Sequence, residues 1–119
     1  MIAKFRAAVP GFLEALSATI EADIARYRKD FPDDAVQSSY FQGKIEITSS
    51  VYKPEITAIV EANPDILSIS FACDYCKPTH WEQILRVSEL GLHTADVDQN
   101  RTVRDLSRKI LRPILFPAL

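Results

Sequence analysis

The sequence predicts a single α+β domain with a long N-terminal helix, about three further helices and a small antiparallel or mixed sheet. Three features carry this. An apolar stripe at helical spacing runs through residues 12–27. Residues 35–52 look like a hairpin. In residues 66–73 apolar side chains alternate with serines, as in a sheet wet on one side. Strict alternation of helix and strand would instead give an α/β fold with a small parallel sheet, the close alternative.

In the first helix, Pro10 suits the opening turn. Phe12, Leu13, Leu16, Ile20, Ile24 and Tyr27 then recur at steps of one, three and four, until Phe31-Pro32-Asp33-Asp34 turns the chain. Residues 1–9 read as a separate helical or irregular lead-in. Ile45 and Ile47 alternate with Lys44, Glu46 and Thr48, and Gly43 marks a bulge or a turn, so 35–52 is one bent strand or a hairpin. Pro54 fits the start of a two-turn helix carrying Ile56, Ile59 and Val60, which Asn63-Pro64 stops.

The clearest strand is 66–73, with Leu67, Ile69, Phe71 and Cys73 on one face and Ser68 and Ser70 on the other. Thr79, with Glu82 three residues later, has the form of a capping box, and Gly91 would close a helix burying Trp81, Ile84 and Leu85. A short strand is expected within 92–97. A last helix follows over about 101–111, capped by Asn100 or Thr102 and ended by Pro113. The tail RPILFPAL has four large apolar side chains, Ile114, Leu115, Phe116 and Leu119. With Pro113 and Pro117 in it, it should dock as an extended segment in cis, or form a homodimer through residues 113–119.

Bulk properties narrow the functional classes. The 119 residues, 47% hydrophobic and 25% charged, suit one globular domain over 1–119. Fourteen basic and sixteen acidic side chains leave a net charge of −2, which directs the chain toward neither nucleic acid nor an anionic membrane. No uncharged run approaches the roughly 20 apolar residues of a membrane helix. Lys4 and Arg6 precede an apolar patch that Glu14 interrupts too early for a secretory segment. Two cysteines make no disulfide framework, so a soluble cytoplasmic protein is expected.

Three clusters invite chemistry. Cys73, Cys76, His80 and His93 have ligand types for zinc, but C-x₂-C-x₃-H-x₁₂-H is not a familiar finger spacing. The strand phase also turns Cys73 inward, where cysteine packs as a small hydrophobe. A redox pair is weaker, because a helix starting at Thr79 lies beyond both thiols and Asp74 opposes a thiolate. D-V-D-Q-N at 96–100 begins like a calcium loop. Arg101 then stands where glycine should be, and Ser107 where the bidentate glutamate should be. Third, Arg101, Arg104, Arg108 and Arg112 fall on one stripe of the last helix, opposite Val103, Leu106 and Ile110. Guanidinium groups in a row suit carboxylates or phosphates, which each can grip with two parallel hydrogen bonds.

There is no glycine-rich phosphate loop, G-x-S-x-G or H-E-x-x-H, so no cofactor or metal is expected. The leading expectation is a non-enzymatic interaction protein of inhibitor, immunity or adaptor type. Its arginine stripe would meet a protein with an acidic surface. The alternatives are a small zinc-binding domain using Cys73, Cys76, His80 and His93, and a small enzyme whose site does not show in the sequence.

Overall fold

The computed structural model describes residues 2–50, 55–74, 79–89, 91–95 and 97–116. Helix α1 (Ile2–Asp30) leads into five strands: β1 (Val36–Phe41), β2 (Lys44–Ser49), β3 (Ile56–Asn63), β4 (Ser68–Asp74) and β5 (Thr79–Ile84). These form one sheet in sequence order, and every neighbouring pair is antiparallel. A small hairpin of β6 (Arg86–Ser88) and β7 (Gly91–His93) follows, and helix α2 (Gln99–Leu115) ends the fold.

The α+β class holds, but the expected element list needs correction. Among the described residues one further α-helix follows α1, not about three, and no strand pair is parallel, which removes the α/β alternative. The helix expected from Pro54, which lies outside the described residues, to Asn63 is strand β3 from Ile56 on. Its Ile56, Ala58 and Val60 are fully buried on one face, while Thr57 and Ile59 are half-buried on the other. Apolar residues on both faces imitated a helical repeat, as short buried runs do; the β-branched content decided for strand.

Over the described residues, the helix expected over 79–91 is β5, β6 and the first residue of β7. Residues 79–84 alternate half-buried and exposed, and Trp81 stacks on Phe71 of β4 with ring centroids 5.2 Å apart. The capping-box spelling is a local preference, and the hydrogen-bond ladder with β4 outweighs it. Gly91 is not a helix terminator either. It opens β7 with φ +99°, and a Cβ there would lie 1.9 Å from Gln99 Oε1.

Other parts are closer to expectation. The hairpin turns at Gln42 and Gly43, both with positive φ (51° and 76°), as a two-residue loop between twisted strands requires. The lead-in is not separate: α1 is continuous through Pro10, because Phe5 belongs to the same buried stripe as Phe12, Leu13, Leu16, Ile20 and Ile24. Burying those six side chains contributes on the order of 10 kcal/mol, enough to carry the backbone bond that Pro10 removes.

Likewise α2 runs through Pro113, with Ile114 and Leu115 buried beside Ile110 and Leu111. The tail therefore starts as helix docked in cis, not as an extended segment. Phe116 is 41% exposed, and Leu119 lies outside the described residues. The α2 cap is Asp98, whose Oδ1 accepts from Arg101 N at 2.8 Å, in place of Asn100 or Thr102. Thr102 instead donates to Asp98 O and accepts from Thr94 N, tying the exit of β7 to the helix.

One face of the sheet is the core. Ile45, Ile47, Ile56, Ala58, Val60, Ile69 and Phe71 are all 0% exposed there, beneath the α1 stripe. On the other face the paired rows are mainly polar, and Lys44 Nζ lies 3.5 Å from Glu61 Oε2 across strands. The serines of β4 nevertheless are buried, at 0% for Ser68 and 8% for Ser70. Longer cross-strand neighbours, Asn63 and Ile84 beside one and Glu61 and Glu82 beside the other, cover them. The molecule measures 43 × 26 × 26 Å, and the long dimension is that of a 29-residue helix at about 1.5 Å per residue.

Gly91→Ala should destabilise the fold by about 1–3 kcal/mol, since any other residue is strained at that φ. Urea denaturation checks this: the midpoint should fall at constant m-value. An unmoved midpoint would mean that the β6–β7 turn is not held against Gln99.

Candidate functional site

The two helices pack side by side, and the seam between them opens outward as a groove. Its wider part, about 480 Å³, is lined by Asp23, Arg26, Tyr27 and Asp30 of α1, by Phe31 just past its end, and by Arg108, Leu111, Arg112, Leu115 and Phe116. A second depression of about 430 Å³ shares Asp23, Arg26 and Arg108 and continues along Ala15, Ala18, Thr19 and Ala22 past Asn100, Val103 and Arg104. Small residues on α1 keep this second stretch open, and large ones floor the first.

The floor of the wider part is aromatic. Tyr27 stacks on Phe31 with centroids 4.8 Å apart and meets Phe116 edge-on at 5.9 Å. Phe31 is 47% exposed, so two of the three rings present apolar surface to solvent. The Tyr27 hydroxyl donates to Asp34 Oδ2, which holds the ring against the turn after α1. Rings that bridge an apolar body and a polar tip are common where a surface has to grip.

The rim is cationic. Arg26, Arg104, Arg108 and Arg112 face it, against the two carboxylates Asp23 and Asp30. Asp23 is the anchored one: Ser107 Oγ donates to its Oδ2 at 2.7 Å, and Arg26 Nη1 lies 3.4 Å from its Oδ1. Ser107 is fully buried, so this bond pins the middle of α2 to α1 and fixes the groove width. Among the described residues Arg104, Arg108 and Arg112 have no ion-pair partner. A local excess of guanidinium over carboxylate thus sits on a chain whose net charge is −2.

Of the four arginines singled out by helical spacing, Arg104, Arg108 and Arg112 line this groove. Arg101 stands apart, its Nε 3.8 Å from Asp105 Oδ2 one turn on. The groove residues Asp23, Arg26 and Asp30 were not singled out; Tyr27 was read as part of the apolar stripe, Phe31 as part of the turn after it, and Ser107 as a mismatch to a calcium loop. The available signal was weak: Arg26 and Asp30 are one turn apart at the end of α1, as are Tyr27 and Phe31, whose N–H still bonds Tyr27 O, and so they share a flank.

The Cys/His window is not drawn together to the same extent. Cys73 points into the core at 4% exposure, while His80, opposite Ala72, projects from the open face. Strand alternation thus sends those two side chains to opposite sides of the sheet. His93 Nδ1 donates to Thr94 O at 2.9 Å, and Cys76 lies outside the described residues. Among the described residues no three His, Cys, Asp or Glu side chains gather as metal ligands. Of the calcium-like run, Asp98 is spent as the α2 cap, and Asp96 lies outside the described residues. No helix among the described residues is long and apolar enough to cross a membrane.

The Ser107–Asp23 bond should be worth about 1–3 kcal/mol, as hydrogen bonds to a carboxylate typically are. A double-mutant cycle of Ser107→Ala and Asp23→Ala by chemical denaturation should show the two losses coupled, each single variant costing nearly what the double does. Fully additive losses would mean that the helices are held by packing alone.

Comparison of the chain with protein-family models, with curated proteins and with solved structures yields no match.

Proposed function

We propose that this protein is a binding module that receives an acidic segment of a partner protein along the α1–α2 groove. The observation that carries the reading is the pairing of two surfaces in one place. Guanidinium groups of Arg108 and Arg112 stand along an aromatic floor of Tyr27, Phe31 and Phe116, and Arg104 lines the adjoining depression; none of the three has an ion-pair partner among the described residues. Carboxylates of the partner would take two hydrogen bonds from each guanidinium, and an adjacent leucine or aromatic side chain would cover the exposed faces of Phe31 and Phe116.

Arginine also suits phosphates, so nucleic acid is the natural competitor. Two features weigh against it. Asp23 and Asp30 interrupt the positive surface, where a polyphosphate backbone calls for a continuous one. The net charge of −2 also supplies no long-range attraction to a polyanion.

A random twelve-residue peptide library displayed on phage and panned against the intact protein tests this. Selected peptides should be enriched in Asp and Glu around one large apolar residue. Changing Arg104 and Arg108 together to glutamate should lower their affinity at least about 100-fold, near 3 kcal/mol, with the circular dichroism spectrum unchanged. Selection of basic or neutral peptides, or undiminished binding by the double variant at moderate salt, would reject the groove as the acidic-segment site.

A further inference from the structure

The two edges of the main sheet are treated differently. Along β1, Glu21, Ile24, Ala25 and Arg28 of α1 border one shallow depression with Val36, Gln37 and Ser38, so the helix flanks that edge. Along β5 no strand among the described residues continues the sheet. The backbone bond from Leu85 N to Leu67 O, 2.9 Å, sets the phase of the β4–β5 ladder. Given the register Phe71↔Trp81 and Ile69↔Gln83, the peptide groups of Trp81 and Gln83 turn toward β4. Those of His80, Glu82 and Ile84 turn outward. All three residues are exposed, Ile84 at 67%.

Natural sheet edges are normally blunted by lysine, proline, a bulge or a covering element. The sequence Thr-His-Trp-Glu-Gln-Ile has no lysine, proline or glycine, and it pairs with β4 without a bulge. Among the described residues, the one outward group of β5 engaged by a side chain is the carbonyl of Ile84, which accepts from Gln83 Nε2 at 3.1 Å.

We propose that β5 is a self-pairing edge, through which two copies of this protein join antiparallel in a register that sets His80 opposite Glu82 of the second copy. Because the outward peptide groups belong to even-numbered residues, only registers that pair even with even can exchange both backbone bonds. With His80 opposite Glu82, an imidazole meets a carboxylate twice on the open face, and Trp81 faces Trp81 of the second copy across the twofold axis. Each indole is already held by Phe71 and by Lys109, whose Nζ lies 4.2 Å from the ring centroid. A shift by one allowed step sets Glu82 against Glu82, two like charges in direct opposition. A shift the other way sets His80 against His80, so of these registers the proposed one alone sets each imidazole against a carboxylate.

The contact is one strand wide, so the pair is transient and concentration-dependent. Sedimentation equilibrium of the full chain from about 5 μM to about 1 mM should show the mass rising from 13.4 kDa toward twice that value. Over the same range, amide hydrogen exchange should slow at His80 and Glu82, while Trp81 and Gln83 are protected throughout. Glu82→Pro deletes an outward N–H and leaves the β4 ladder bonds in place, so it should keep the protein monomeric. His80→Glu should do the same, and adding Glu82→His to it should restore pairing with the charges exchanged, a rescue that does not depend on how the proline variant folds. A mass fixed at 13.4 kDa at every concentration would overturn the proposal. So would a dimer that His80→Glu leaves intact and in which the His80 and Glu82 amides exchange freely.

Discussion

The burial of the α1 stripe against one face of the sheet is the contact on which the other features depend. All five strands are joined by local connections, so the meander can form its ladder without help. It would then expose Ile45, Ile47, Ile56, Val60, Ile69 and Phe71 together. Only a helix as long as α1 spans that surface, and its Phe5, Phe12, Leu13, Leu16, Ile20 and Ile24 cover it. Once α1 is seated, α2 can dock along it. Ser107 reaching Asp23 across 84 residues of chain joins the ends of the molecule.

That arrangement divides the surface into two kinds. The helix side carries arginines around exposed rings, because α1 uses one flank for the sheet and leaves Arg26, Tyr27, Asp30 and Phe31 beside α2. The open side of the sheet carries short cross-strand polar rows such as Lys44 with Glu61, which solvate the strands and offer little for a partner to bury. Apolar floor and directional charge therefore coincide in the groove.

What could be read from the sequence follows the range of the forces involved. The α1 stripe, the turn after Phe31, the hairpin within 36–49 and the inward phase of Ile69, Phe71 and Cys73 are local periodicities, and they survive in the structure. Segments 54–63 and 79–84 were misread because each spells a local helix signal, Pro54 ahead of spaced isoleucines in one and Thr79 with Glu82 in the other. Each is decided instead by a neighbouring strand. Pro113 and Pro10 misled in the same way, since the buried side chains on both sides of each proline outweigh its missing bond. The groove was half legible. Helical spacing aligned Arg104, Arg108 and Arg112, but no sequence rule brings Arg26 and Phe31 to face them, because that depends on how α2 docks.

The most direct measurement is a titration of the ¹⁵N-labelled protein with one acidic peptide of alternating glutamate and leucine, followed by amide chemical shifts. The account predicts perturbations confined to residues 22–31 and 103–116, on both walls of the groove, with the five strands unmoved. Shifts centred on the open face of the sheet, or none at peptide concentrations near 1 mM, would contradict it.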